Sequence, residues 1–129
     1  MAEKAIVRTE RAPAPFQGAP YSQAIRVGDL VFVSGQLALR PGEKELSGGS
    51  IQEQTDQIFQ NLAAILEEAG SGLDKLVKTT VFLQSLDDFA GMNQVYASRV
   101  GGRPPARSTV EVARLPSGAL VEIDAIAHL

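Results

Sequence analysis

The apolar and polar positions change period several times along the chain. Ala5 to Thr9 alternates and predicts a first strand. Arg11 to Pro20 contains Pro13, Pro15, Gly18 and Pro20, so it predicts an extended loop. Ala24 to Val27, the turn pair Gly28-Asp29 and Leu30 to Ser34 predict a hairpin whose second strand is buried. Pro41 to Gly49 is polar and holds three glycines, which predicts a surface loop. Ser50 stands three residues before Glu53, the spacing of a capping box. Ile51, Ile58, Leu62, Ile65, Leu66 and Ala69 then recur at helical spacing, and Gly70 supplies a stop. Lys75 to Leu83 is rich in β-branched residues and predicts a strand. Ser85 to Asp88 opens a second predicted helix, with Phe89, Met92, Val95 and Tyr96 on one stripe and Gly101 at its end.

The run from Pro104 to Ala127 holds two alternating stretches separated by Leu115-Pro116-Ser117-Gly118, the pattern of a β-hairpin. In that register Val112 pairs near Val121 and Val110 near Ile123, all four facing the helices. Arg107, Thr109, Glu111, Leu120, Glu122 and Asp124 fall on the opposite face. A slip of one residue would turn the valines outward, which favours this register. The order of elements is therefore β, ββ, α, β, α, ββ. It predicts one α+β (mixed α/β) domain over residues 1–129, a mixed sheet of six strands with two helices on one face. The other sheet face has no helix, so it is solvated or covered by another subunit.

Composition narrows the chemistry. The chain has 129 residues, enough for one core, with 44 % apolar residues but only 5 % aromatic and no Trp. The core is thus aliphatic. Cys is absent and His128 is the only histidine. Disulfides, thiolate catalysis, thiolate zinc sites and the usual serine triad are excluded. Net charge is −3 and the basic residues are scattered, which argues against a nucleic-acid partner. No stretch approaches the ~20 apolar residues of a membrane span, and the N-terminus lacks an apolar leader. A cytoplasmic protein with no membrane partner is the expectation. Ser47-Gly48-Gly49-Ser50 matches no phosphate-loop pattern and reads as a flexible loop.

A charged face on the closing strands is the candidate site, although an arbitrary strand Arg is ordinarily just solvated. Here Pro104 and Pro105 stiffen the approach to Arg107, and Pro105 to Ala113 (PARSTVEVA), with Leu115-Pro116 and Val121-Glu122-Ile123, resembles the RidA/YjgF family of 2-iminobutanoate/2-iminopropanoate deaminases. Pro20-Tyr21-Ser22-Gln23-Ala24, Val33-Ser34-Gly35-Gln36, Val77 to Leu83, and Asp88-Phe89 with Asn93 and Tyr96 extend the resemblance, in order, over nearly the whole chain.

The resemblance implies a chorismate-mutase-like fold and a homotrimer with sites between subunits. It implies hydrolysis of small 2-imino acids to 2-keto acids and ammonia, with no metal, flavin or nucleotide required. Arg107 would bind the substrate carboxylate, and Glu122 would hold or polarise the attacking water. Tyr21, Ser34, Gly35, Asn93 and Thr109 would line the pocket, with Phe89 as an apolar wall. Two departures stand out: Thr109 occupies a position where many relatives carry Cys, and the segment from Tyr96 to Pro105 is shorter than usual and lacks aromatics. The competing functions are a regulatory trimer that binds small carboxylates without turnover and, against the acidic balance, an RNA-cleaving translation inhibitor; a chaperone-like role is a further reading on which the sequence is silent. In the predicted register Arg107 and Glu122 lie about 13 Å apart along the strands. That separation predicts that they serve one pocket from different chains.

Overall fold

The computed structural model describes residues 3–129; Met1 and Ala2, part of the N-terminal stretch read above as lacking a leader, lie outside the described residues. The strands are β1 (Ala5–Val7), β2 (Ala24–Val27), β3 (Leu30–Gln36), β4 (Leu76–Leu83), β5 (Ala106–Glu111) and β6 (Val121–His128). The helices are α1 (Ile51–Glu68) and α2 (Phe89–Val100). All six strands join one sheet in the order β1-β2-β3-β6-β4-β5. The β4–β5 pair is parallel and every other pair is antiparallel. The predicted element order and mixed sheet are therefore what the chain forms.

Helix α1 begins where the sequence places it, with the Ser50 hydroxyl accepting the Glu53 N–H at 3.1 Å. Its apolar stripe, Ile58, Phe59, Leu62, Ile65 and Leu66, is fully buried. That stripe meets Val31 and Val33 of β3, Val81 and Leu83 of β4, and Val121, Ile123, Ala125 and Ala127 of β6. Such burial stabilises by roughly 1.5–3 kcal/mol for each large aliphatic side chain. From α2 only Met92, Tyr96 and Val100 are buried, whereas Phe89 lies on the surface. Among the described residues, no helix is long and apolar enough to cross a membrane.

The closing hairpin does not form. β5 and β6 flank β4 on opposite sides, β5 running parallel to it and β6 antiparallel. β4, α2 and β5 make a crossover unit, and α2 supplies the length that a parallel connection needs. The segment after β5 then carries the chain across to the slot between β3 and β4. Leu115 to Gly118 belongs to that crossing and contains a single 3-10 turn, Pro116–Gly118.

The different pairing also reverses the faces of β5. Arg107 sits opposite Thr79, Thr109 opposite Val81 and Glu111 opposite Leu83. Those β4 residues are buried beneath the helices, so Arg107, Thr109 and Glu111 are on the helix side of the sheet. Val110 instead points to the uncovered face and is 42 % exposed. Val121 and Ile123 do face the helices, and Glu122 and Asp124 do face away. Strand β3 is also less buried than its apolar run suggests: Leu30 and Phe32 are 40 % and 41 % exposed on that same open face.

Candidate functional site

Glu122 is the second residue of β6 and lies on the open face of the sheet. Beside it the β3–β6 register shifts between Val33 and Gln36, so Ser34 and Gly35 form a bulge. The bulge brings backbone against the carboxylate. A Cβ on Gly35 would collide with Glu122 Oε2 and stand 3.0 Å from its Cδ. Only glycine leaves the carboxylate where it is. Ser34 Oγ donates to the Ser22 carbonyl at 2.6 Å and its N–H to the Gln23 carbonyl at 3.0 Å, which pins the bulge to the preceding strand.

Gln23 in turn holds the Pro-rich loop. Its side-chain oxygen accepts the Thr9 N–H at 2.7 Å, and its amide nitrogen reaches the carbonyls of Thr9, Ala12 and Pro13 at 3.0, 3.3 and 2.8 Å. This loop presents Tyr21, whose hydroxyl accepts the Phe16 N–H. The Tyr21 proton is left free to donate. Tyr21, Ser34, Gly35 and Glu122 border one cleft of about 510 Å³, walled by Phe16, Leu37, Leu39 and Pro116. Two rim turns carry non-glycine residues in the left-handed region, Gln17 at φ 55° and Ser117 at φ 56°. Backbone in that region is held by its surroundings rather than by preference.

Glu122 has no hydrogen-bond partner among the described residues. Burial in the cleft pushes its carboxyl above the ordinary carboxylate range, and the charge of Asp124, two residues along the same face, adds to the rise. Such a group takes up a proton more readily than a surface carboxylate.

Arg107 occupies a different place. Its guanidinium carbon lies 4.6 Å from the centroid of the Tyr96 ring and 5.5 Å from that of Phe89. One terminal nitrogen is 4.0 Å from Met92 Sδ. Among the described residues no carboxylate lies within 4.0 Å of it. A cation on two aromatic rings, with no counter-ion of its own, is a ready receptor for an anionic group. Asn93 and Arg107 share a shallower cleft of about 320 Å³, edged by Val100, Pro104 and Pro105. Phe89 touches Arg107 but lines neither cleft, and nor does Thr109, whose Oγ1 is buried without a partner.

Seven of the eight predicted residues therefore fall into two groups, and Thr109 joins neither. Tyr21, Ser34, Gly35 and Glu122 are together, and Phe89, Asn93 and Arg107 are together. One protomer does not unite them. β4 separates β5 from β6, about 10 Å of sheet, and the two charged side chains leave opposite faces. Among the described residues no group of three or more His, Asp or Glu is placed to hold a metal.

Several contributors were not legible beforehand. Tyr96 reads as an ordinary core position in a helical stripe, yet it carries Arg107. Asn61 sits inside the apolar stripe of α1, and that misplaced polarity was the available signal. Its amide donates to the carbonyls of Leu37 and Leu39 at 3.1 and 2.9 Å and supports the apolar wall of the Glu122 cleft. Phe16 had no signal beyond its place in a loop, and Pro116 was legible only as part of the Leu115-Pro116 motif.

A single mixed sheet with two helices on one face is the fold of the RidA/L-PSP structures. The chain belongs to the RidA/YjgF family: the Endoribonuclease L-PSP family profile matches residues 9–129. Reactive Intermediate Deaminase A, chloroplastic, of Arabidopsis thaliana is 43 % identical over 127 residues, spanning 98 % of this chain and 67 % of that protein. The crystal structure of RidA from the Antarctic bacterium Psychrobacter sp. PAMC 21119 superposes with a TM-score of 0.91 at 42 % identity, over 97 % of this chain and 99 % of that one. The structure of E. coli TdcF with bound serine gives a TM-score of 0.88 at 37 % identity, over 97 % and 98 % of the two chains. The family thus includes a reactive intermediate deaminase.

Proposed function

We propose that this protein hydrolyses small 2-imino acids, such as 2-iminobutanoate and 2-iminopropanoate, to 2-keto acids and ammonia. The observation that carries the reading is the pair of complementary half-sites: an anchored cation without a counter-ion among the described residues, and a carboxylate of raised proton affinity in an apolar cleft. Arg107 takes the substrate carboxylate in a two-point hydrogen-bonded pair. This sets the neighbouring imine carbon at a fixed distance and orientation. Glu122, ionised, accepts a proton from the water that attacks that carbon. The resulting tetrahedral intermediate receives that proton on nitrogen to give a carbinolamine; its hydroxyl then gives up its own proton, which passes to the amine as ammonia leaves and the carbonyl of the keto acid forms. The bound serine of the TdcF structure supports a ligand of this size and charge class.

The half-sites complement one another only between copies of the chain. The active form is accordingly a closed homo-oligomer, a trimer, in which the Arg107 cleft of one protomer meets the Glu122 cleft of the next. The uncovered sheet face, with Phe32 and Val110 exposed on it, supplies an apolar surface for that contact. Sedimentation at micromolar concentration is expected to give a trimer, and a monomer would refute the assembly.

The test of activity couples the protein to a dehydratase that releases 2-iminobutanoate and follows ammonia or keto-acid formation. The wild type is expected to accelerate release and Arg107→Ala to abolish that acceleration. No acceleration by the wild type, with 2-oxobutanoate still bound, would instead favour a carboxylate-binding regulatory trimer.

A further inference from the structure

We infer that Tyr96 and Thr79 are positioning residues that hold Arg107 ready for its ligand. The inference rests on the reading of Arg107 as the carboxylate anchor. Arg107 stands on an edge strand, with a long side chain and no ion pair among the described residues. Left to itself such a side chain samples many rotamers, and fixing it on binding costs affinity. Here three contacts remove that freedom in advance.

The first is the Tyr96 ring beneath the guanidinium at 4.6 Å. The second is the anchoring of that ring. The hydroxyls of Tyr96 and Thr79 share a hydrogen bond of 2.6 Å, and Thr79 is fully buried. The third is the sheet itself, because Thr79 is the cross-strand partner of Arg107 in the parallel β4–β5 register. The ring therefore bridges from α2 to the residue directly beside Arg107. Phe59 of α1 packs against Tyr96 in a T-shaped pair, with centroids 5.4 Å apart and an interplanar angle of 86°. A plate held at its hydroxyl end and packed against Phe59 cannot swing away when a carboxylate arrives. The cation stays in place at the border of the cleft it shares with Asn93.

A plate that positions the anchor changes substrate binding, whereas a plate that only fills the core changes how much protein folds. These two roles separate in kinetics. Tyr96→Leu is expected to raise KM for 2-iminobutanoate, and Kd for 2-oxobutanoate, by about 5- to 30-fold, with kcat per folded site within about threefold of wild type. Tyr96→Phe keeps the ring and is expected to restore most of the affinity. Thr79→Val removes the same hydroxyl bond as Tyr96→Phe and is expected to raise KM to the same small extent, well below that of Tyr96→Leu, without lowering kcat. A fall in active protein with unchanged KM in Tyr96→Leu would overturn the proposal.

If Tyr96→Leu does not fold, NMR of the wild type decides. The Arg107 Nε proton, assigned by its loss in Arg107→Lys, is expected upfield through the ring current of Tyr96, and a proton at its ordinary position overturns the proposal. If the wild type neither binds 2-oxobutanoate nor turns over the imine, the reading of Arg107 fails as well. Normal wild-type binding and turnover, with unchanged KM in Tyr96→Leu, removes the positioning role alone.

Discussion

Gly35→Ala isolates the close approach of the β3 bulge to Glu122. Gly35 does not occupy the left-handed region, so alanine meets no backbone penalty there. The whole effect comes from the added Cβ. That atom would overlap Glu122 Oε2 and lie 3.0 Å from Cδ and 3.3 Å from Cγ. Ordinary contacts between such atoms are near 3.5 Å, so the carboxylate has to retreat by about 1 Å. The obstructed atoms are the far end of a side chain that can rotate. Stability should therefore change by less than about 1 kcal/mol, and the lost chain freedom of glycine offsets part even of that. Catalysis has no such tolerance, because misplacing a reacting group by about 1 Å can cost on the order of 10²-fold in rate. Expected outcomes are a kcat on 2-iminobutanoate lowered by about that factor and a Kd for 2-oxobutanoate within about threefold of wild type. The double-mutant cycle with Glu122→Ala completes the test, since Gly35→Ala should add little once the carboxylate is gone. Wild-type kcat in Gly35→Ala, or an equal loss in both backgrounds, would refute the mechanism by which Gly35 acts.

Two further outcomes follow from the same geometry. Burial holds the Glu122 carboxyl above its ordinary value of 4.5, so the folded state binds this proton more tightly than the unfolded chain does. Stability from this group therefore falls as pH rises from the ordinary value through the raised one, and kcat/KM rises over the same window as the base ionises. Glu122→Gln should show a higher Tm than wild type at pH 8, converging with it below pH 4.5, while losing the rising limb of the rate profile; an equal or lower Tm at pH 8 contradicts the assignment. Asn61→Ala leaves the Leu37 and Leu39 carbonyls without their buried donor. It is expected to cost about 2–3 kcal/mol, read as a Tm lowered by about 10 °C in calorimetry.

The helices were legible because their signals are local. Ser50 and Glu53 mark the start of α1, Gly70 its end, and the stripe from Ile58 to Leu66 its buried face. The pairing of the last two strands was not legible, for a physical reason. Two alternating runs around a Leu-Pro-Ser-Gly segment satisfy every short-range requirement of a hairpin. What decides against it is a long-range competition: β4 offers two open edges, and α2 has already delivered β5 to one of them. β6, alternating Val, Ile and Ala on one side, packs best as a central strand between β3 and β4.

The facing of β5 failed for the same reason. An edge strand whose helix side opens on a cleft turns Arg107 inward and Val110 outward, inverting the usual parity. Residues carried by the family resemblance lie in two groups: Tyr21, Ser34, Gly35 and Glu122 on one side, Phe89, Asn93 and Arg107 on the other. Thr109 alone belongs to neither group. The estimate that Arg107 and Glu122 are too distant to act within one chain rested on a hairpin that is absent. The separation nonetheless holds, now through the intervening strand β4 and the opposite faces of the sheet.

The division of the site between protomers is tested most directly by complementation. Arg107→Ala and Glu122→Gln, each inactive alone, are co-expressed and purified as mixed oligomers, and imine hydrolysis is measured. If every site draws Arg107 from one copy and Glu122 from its neighbour, random mixing in a closed ring restores about a quarter of wild-type activity. Mixed oligomers as inactive as either variant alone would place both residues in a site within one chain and contradict the account.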